Sequence, residues 1–306
     1  MTIYVAHKLI ISLWAFLSIM IWCHTSMAQQ DSTKLIKQQH RVTLVSTAAY
    51  SAALVGLHQL WYKDYQSTSF RFFNDNAEWM QMDKIGHIGS VYYLSKFNYS
   101  LYSYYGASNG KSVLLGTTSA MTFFTAIEIM DGFSSGWGFS AGDMIANTSG
   151  ALLFAGQQLL WNETRIDVKF SFSPSPYAGC RPSLLGSSFT QQLLKDYNGQ
   201  TYWLSANISD FLRPSSTFPQ WLNVAVGYGA TAMTGARHNV FVDGGCLIDN
   251  NERQRKFYLS PDINLNKIKT RKKWLKTSLY ILSFIKVPLP AIEFQNSKTR
   301  VHWLKF

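Results

Sequence analysis

The sequence predicts an α+β protein, with an N-terminal bundle of about four apolar helices followed by a strand-rich, antiparallel C-terminal region. Three observations support this prediction. Long apolar segments with few helix breakers fill the chain up to about residue 163. Beyond that point, short segments alternate apolar and polar residues with a period of two. Clusters rich in Gly, Ser and Asn separate the segments, as expected for turns.

The helical half is predicted to contain four helices. Its helices are expected at residues 42–61, 77–104, 112–130 and 140–161. Asp75 and Asn76 are suited to cap the second helix, and Ser140 with Asp143 has the spacing of a capping box in which Asp replaces Glu. Each helix is long enough to cross a bilayer but carries polar groups, so a membrane-embedded bundle and a water-soluble bundle both remain open.

The C-terminal half, residues 164–306, is predicted to contain five or six strands. The period-two pattern is found in RIDVKFSFS, TYWLSANISDFL, WLNVAVGYGA, RKFYLSPDINL and TRVHWLKF. Turn-rich loops separate these segments, which favours antiparallel pairing. The chain therefore divides into residues 29–163, residues 164–306 and a short leader.

The leader is the first 28 residues, which have the pattern of a secretory signal peptide. An apolar run at residues 9–22 follows one Lys, and the small-x-small ending Ser26-Met27-Ala28 predicts cleavage after Ala28. An uncleaved anchor helix is the alternative. Lipidation at Cys23 is less well supported, because bulky residues precede that cysteine.

Two cysteines, Cys180 and Cys246, remain after this cleavage. In an oxidising exported compartment, an isolated pair in loop-like surroundings is a candidate disulfide. Two separate free thiols are the other interpretation. No CxxC motif or Cys/His spacing indicates a metal site.

The net charge of +11 is concentrated in one segment of the C-terminal half, residues 267–286. An apolar, helix-like run follows a dense group of cations, which is typical of a segment at a membrane surface. The cations are Lys267, Lys269, Arg271, Lys272, Lys273 and Lys276. A core helix with a solvated basic start is the alternative. Membrane lipids and other envelope proteins are the expected partners, and nucleic acid is not, because no recognition module is present.

Polar residues recur at helical spacing on three consecutive predicted helices. Asp83 and His87 are four residues apart, Glu128 and Asp131 are three apart, and Asp143 and Asn147 are four apart. The full set of candidate residues is Asp83, Lys84, His87, Glu128, Asp131, Ser140, Asp143 and Asn147. Buried carboxylates require partners, so these groups are expected either to form a polar network or to line a ligand site.

The structural interpretation of this set is a polar network in which Lys84 and His87 neutralise the acids. The functional interpretation is a divalent metal held by carboxylates and imidazole. For Asp143 the structural interpretation is strong, because a helix N-terminus favours an acid. No catalytic residue is assigned and no cofactor is expected, because the chain lacks a nucleophile elbow, an HExxH motif and a P-loop.

The ordered motifs DK..H, E..D and GFS..D...N..G, which begin at Asp83, Glu128 and Gly138, resemble a known bacterial pattern. They are similar to the YfiM-like domain of unknown function, a predicted periplasmic lipoprotein family, and more distantly to the VanZ-like membrane family. The resemblance covers residues 78–161. It implies an exported helical envelope domain, and it implies no reaction because the activity of the family is unassigned.

These features predict an exported, membrane-associated envelope protein. We expect a non-enzymatic binding or accessory subunit of an outer-membrane or secretion assembly, on the periplasmic side of the outer membrane or embedded in the envelope. The alternative is a metal-dependent enzyme that acts on an envelope lipid or another phosphorylated substrate.

Overall fold

A computed structural model describes residues 33–63, 65–213, 216–240, 246 and 248–306. The signal peptide expected at residues 1–28 lies outside the described residues. Helices dominate the first part of the described chain and an antiparallel sheet dominates the last part, which confirms the α+β class. The chain forms two compact units. The first contains the residues before Ala77 and Ser90–Glu163, and the second contains Ala77–Gly89 and Thr164–Phe306.

The first unit is helical. Its helices are α1 (Thr33–Leu57), which continues into a π-helical turn at His58–Tyr62, most of α2 (Met82–Tyr104), α3 (Asn109–Gly132) and α4 (Ala141–Trp161). Buried Val91, Ala120 and Ala151 bring α2, α3 and α4 into one apolar cluster. At Gly116 an added Cβ would lie 2.7 Å from the backbone nitrogen of Tyr99, so α3 approaches α2 too closely for any side chain.

The start of the second helix differs from the sequence expectation. A 3-10 turn at Glu78–Gln81 precedes α2, and Trp79, Met80 and Gln81 have φ values of 48°, 51° and 64°. Such left-handed conformations are costly for non-glycine residues. Contacts within the second unit hold the turn: the Trp79 amide donates to the carbonyl of Ala236 at 2.8 Å, and the Tyr228 hydroxyl donates to that of Met80.

One helix in the described ranges, α3, meets the length and hydropathy expected of a membrane span. A buried core helix of a soluble protein satisfies the same criterion. The helix is therefore weak evidence for a membrane crossing.

The second unit is built on a six-stranded antiparallel meander in the order β1 to β6. Its strands are β1 (Ile166–Phe172), β2 (Gln200–Asn207), β3 (Leu222–Thr231), β4 (Gln254–Ile263), β5 (Leu289–Gln295) and β6 (Lys298–Lys305). Short helices α5 (Pro182–Leu185) and α6 (Phe189–Lys195) lie between β1 and β2, and α7 (Lys273–Leu282) lies between β4 and β5. The expected antiparallel pairing is confirmed. β5 is the strand that no segment of the period-two pattern predicted.

The sheet is strongly curved. Lys169 on β1 and Asp262 on β4 are three strands apart, about 14 Å in a flat sheet. Their side chains nevertheless meet, with 2.6 Å between the Lys169 Nζ and an Asp262 carboxylate oxygen. The free edge of β1 is also covered by the chain after α7. The Phe170 amide donates to the carbonyl of Phe284 at 2.8 Å, and the Lys286 amide donates to the carbonyl of Phe170 at 2.9 Å.

The two faces of this curved sheet differ in polarity. The concave face buries many polar and charged side chains, including Lys169, Ser205, Asn207, Asn223 and Asp262, beside a small apolar cluster of Trp203, Ala225, Tyr258 and Ala291. The convex face carries apolar side chains, and many of them are exposed. We refer to its exposed part as the convex apolar face, formed by Leu204, Val224, Val226, Phe257, Leu259, Ile292, Phe294 and Val301.

Candidate functional site

Ser140 is the centre of a polar cluster in the first unit. As predicted, it caps α4: its Oγ accepts from the Asp143 amide at 3.0 Å. The same hydroxyl donates to Asp75 at 2.6 Å, and the Ser140 amide donates to Glu128 at 3.2 Å. The cluster therefore joins the carboxylates of Asp75 and Glu128 to one helix N-terminus, whose dipole favours negative charge.

Two features of this Ser140 cluster differ from the expected capping box. The reciprocal acceptor for the Ser140 amide is Glu128, at the end of α3, instead of the residue three positions after the cap. Asp75 is a member that the sequence suggested only as a cap for α2. Glu128 and Asp143 are both buried, and Asn147 follows one turn later, fully buried in α4.

Asp131 lies in the same unit and has a separate partner. The hydroxyl of Tyr62, in the π-helical turn, donates to Asp131 at 2.8 Å. Burial raises the pKa of Tyr62, and the carboxylates of Asp131 and Glu128 raise it further. The phenol therefore remains a hydrogen-bond donor at all ordinary pH values.

Asp83, Lys84 and His87 belong to the second unit. Asp83 accepts a hydrogen bond of 2.7 Å from Tyr197, and it lies 3.4 Å from Lys84 Nζ and 3.9 Å from His87 Nε2. Burial tends to raise the pKa of Asp83, but His87, Lys84 and Tyr197 together lower it below its ordinary value. The structure thus groups the predicted residues as one set around Ser140 and another around Asp83.

The stabilising effect of Asp83 should depend on pH. A carboxyl group with a lowered folded-state pKa contributes stability above its unfolded value of 3.8, and this contribution is lost as pH falls through the folded value. We expect Asp83→Asn to lower the free energy of unfolding at pH 7 by about 1–3 kcal/mol. Urea denaturation at pH 7 and pH 3 should show the difference from wild type shrinking in acid.

Tyr197→Phe is the matched control for this prediction, since it removes one hydrogen bond to Asp83 and leaves the carboxylate in place. At pH 7 it should lower the free energy of unfolding by less than Asp83→Asn does. Because the carboxylate is still present, the stability of this variant should still fall in acid as that of wild type does. An equal loss for Asp83→Asn at both pH values would contradict the prediction.

The groups in these two sets include ligand types that divalent cations prefer. The carboxylates of Asp75, Glu128 and Asp143 are oxygen ligands of the kind that Mg²⁺ and Ca²⁺ prefer. Asp83 with His87 offers a mixed oxygen and nitrogen pair. The contacts of Ser140 with its carboxylates already serve as helix capping, so the geometry favours a polar network within each unit.

Sequence reasoning missed a buried ion cluster on the concave face of the sheet. Asp262 lies between two buried lysines, at 2.6 Å from Lys169 and 3.6 Å from Lys286. Ser205 also donates to Asp262 at 2.6 Å, and the Lys286 ammonium lies 5.1 Å from the centre of the Trp203 ring. Burial lowers the pKa of Lys286, Asp262 opposes this change, and Lys169 reinforces it. In the sequence, Lys169 and Asp262 are single charges within alternating segments, and Lys286 is the last residue of the segment 267–286.

The segment 267–286 forms a short 3-10 turn and then α7. Lys267 pairs with Asp210 at 2.8 Å and is partly buried. The other cations of the group, Lys269, Arg271, Lys272, Lys273 and Lys276, are exposed. We call these five exposed cations together with α7 the basic segment.

The structure joins Cys180 and Cys246 in a disulfide, with 5.4 Å between their Cα atoms. Both residues belong to the second unit. A disulfide is typical of exported proteins and rare in reducing compartments.

The fold and its polar clusters define an α+β protein with a capped acidic cluster among its helices and, in its second unit, a disulfide of the kind found in exported proteins. Residues 71–156 match the family model described as predicted periplasmic lipoprotein (DUF2279). This match confirms the resemblance to the YfiM-like family, supports an exported, periplasmic protein of the cell envelope, and lends no support to the VanZ-like likeness. No curated protein and no solved structure matches the chain.

Proposed function

We propose that this envelope protein associates with a membrane surface and acts by binding, as an accessory subunit of an outer-membrane or secretion assembly. The observation that carries the proposal is the basic segment. Lys269, Arg271 and Lys272 precede α7, and Lys273 and Lys276 lie in its first turns. They form a dense, exposed positive charge on a protein whose family description is periplasmic.

Apolar side chains of α7 are exposed beside these cations. Trp274 and Ile281 are seven residues apart, so they lie two turns apart on one side of the helix, and they are 66% and 58% exposed. Leu282, 47% exposed, extends the same surface. Exposed apolar residues flanked by cations are the pattern of a helix that lies in a lipid headgroup region.

The electrostatic contribution can be estimated. Each Lys or Arg close to an anionic lipid surface contributes about 1 kcal/mol. Removal of three cations should therefore weaken binding to anionic vesicles by about 100-fold. Binding to uncharged vesicles should change much less, because it depends on the apolar side chains alone.

Vesicle flotation tests this estimate. We expect the triple variant Arg271→Gln, Lys272→Gln, Lys273→Gln to lose binding to vesicles that contain phosphatidylglycerol, with a smaller salt dependence than wild type. The matched control removes three exposed cations elsewhere, with the substitutions Lys37→Gln, Lys63→Gln and Lys298→Gln. Its net charge is therefore the same as that of the first triple variant. Equal losses in the two variants would show that net charge acts and that the basic segment does not.

The accessory role needs its own measurement. Affinity purification of the tagged full chain from detergent-solubilised envelope should recover a fixed set of envelope proteins. Recovery of the protein alone, from the soluble periplasmic fraction at physiological salt, would contradict both membrane association and the accessory role.

A further inference from the structure

The convex apolar face is continuous across five strands of the sheet. Directly paired residues form an aliphatic row, which consists of Leu204, Val226, Leu259, Ile292 and Val301. In the neighbouring row Tyr228 pairs with Phe257, and Phe257 pairs with Phe294. All five members of the aliphatic row are exposed, from 37% for Ile292 to 64% for Val301. An apolar surface of this extent on one sheet face indicates a contact with something other than water.

The second unit cannot use this face as its own core. A water-exposed antiparallel sheet normally turns its apolar side inward and its polar side outward. Here the inner side holds the ion cluster of Lys169, Asp262 and Lys286. It also holds a small buried apolar cluster, which consists of Trp203, Ala225, Tyr258 and Ala291. The residues of the convex apolar face belong to neither cluster.

Part of the convex side is covered by the unit itself. The segment Ala77–Gly89 packs there: a Cβ on Gly86 would lie 3.0 Å from the Tyr202 hydroxyl, and one on Gly89 would lie 3.3 Å from Val168. Tyr228 bonds to Met80 of the same segment. This cover reaches Val168 on β1 and Tyr202 on β2. It leaves the aliphatic row exposed from Leu204 to Val301.

We infer that the convex apolar face contacts the acyl chains of a phospholipid bilayer. A polar interior with an apolar, aromatic-bearing exterior is the arrangement of strands that face lipid. The exposed positive charge of the same unit supports this occupant. The five exposed cations of the basic segment complement lipid phosphates, which lie at the border of the acyl region. The inference rests on the membrane association of the proposed function, because the charge of the basic segment indicates the occupant, and it adds a second surface that contacts the acyl chains.

Site-specific photocrosslinking tests the contact directly. A benzophenone side chain placed at Leu259 or Val226 of the full mature chain should attach to phospholipid in phosphatidylglycerol–phosphatidylcholine vesicles. The same group at Asn251, an exposed polar position of the second unit, should not. Crosslinks from Leu259 to a second copy of the chain or to another polypeptide, or none to lipid while the protein floats with vesicles, would overturn the inference.

A substitution measures the contribution of this face. We expect Leu259→Arg to weaken the binding that survives high salt by about 10-fold or more, because cations on lipid-facing strands are strongly disfavoured. Asn251→Arg should leave that binding unchanged. Far-UV circular dichroism and an intact Cys180–Cys246 disulfide would establish that each variant is folded.

The same assays separate this inference from the proposed function. The triple variant of the basic segment should lose the salt-sensitive binding and keep the lipid crosslink at Leu259 when bound. Lipid crosslinking at Leu259 with no effect of the triple variant would support this inference and contradict the role of the basic segment. Loss of binding in the triple variant without lipid crosslinking at Leu259 would support the role of the basic segment and contradict this inference.

Discussion

Asp262→Asn is expected to lower the free energy of unfolding of the second unit by about 3–5 kcal/mol, the typical cost of breaking a buried ion pair. The substitution keeps the shape of the side chain but leaves the buried cations Lys169 and Lys286 without their shared carboxylate. Ser205 also loses a charged acceptor at 2.6 Å. Urea denaturation at neutral pH, followed by tryptophan fluorescence, measures the change because Trp203 lies beside the cluster.

The variant should also respond differently to pH. Asp262 raises the pKa of Lys286, which burial lowers, so its loss should lower that pKa further. A buried lysine with a lowered pKa destabilises the folded protein fully at pH values below its folded-state pKa. Stability then rises with pH between the folded-state pKa and the unfolded value near 10.5, because only the unfolded state binds the proton there. The deficit of Asp262→Asn should accordingly decrease between pH 7 and pH 10.

Two controls accompany the Asp262 measurement. Lys286→Met removes one cation and leaves the Lys169–Asp262 pair intact, so it should cost less than Asp262→Asn. Arg237→Met disrupts the exposed pair with Glu78, in which the arginine is 49% exposed, and should change stability by about 1 kcal/mol or less. A loss for Asp262→Asn as small as that of Arg237→Met would show that the cluster is not a major source of stability.

Removal of the disulfide with Cys180→Ser, Cys246→Ser should destabilise the second unit by about 2–4 kcal/mol. The two cysteines are 66 residues apart, so the bond closes a long loop and strongly restricts the unfolded chain. Denaturation of wild type with and without a reducing agent provides a second measurement of the same quantity. The double variant should be insensitive to the reducing agent, and a stability equal to that of oxidised wild type would contradict the prediction.

Local signals in the sequence predicted the last two helices well, whereas α1 begins at Thr33, nine residues before its expected start. Alternating or helical spacing is a local property, so α3 and α4 begin and end within a few residues of the expected positions. The start of α2 was missed because tertiary contacts decide it. Trp79 and Met80 adopt left-handed conformations that are held by Ala236 and Tyr228, and neither partner is near them in the sequence.

Period two predicted five of the six described strands, all but β5, and did not predict which side of the sheet faces inward. In RIDVKFSFS the pattern separates Lys169 from Val168 and Phe170, and the usual expectation buries the apolar set. The structure buries Lys169 because Asp262 is available on β4, a pairing that depends on the curvature of the whole sheet. The curvature depends on the pairing of all the strands together, so the sequence of a single strand does not predict it.

The candidate polar residues were recognisable from spacing, while their partners were not. Ser140 and Asp143 form the expected cap because a cap is local. Glu128 bonds the Ser140 amide, and Tyr62 bonds Asp131, through helices that are adjacent only after folding. Tyr197, which bonds Asp83, is more than a hundred residues further along the chain.

The second unit is discontinuous in the chain, and this affects the order in which it can form. The segment Ala77–Gly89 is synthesised before the whole of Ser90–Glu163, yet its side chains pack with strands made much later. Contacts of such high sequence separation slow folding, because the connecting chain must be ordered first. In the folded protein Met82 is fully buried against Ala230 and Met233. During export these two residues are not yet available, so Met82 remains exposed, and a chaperone that binds unfolded chains would have most effect at this stage.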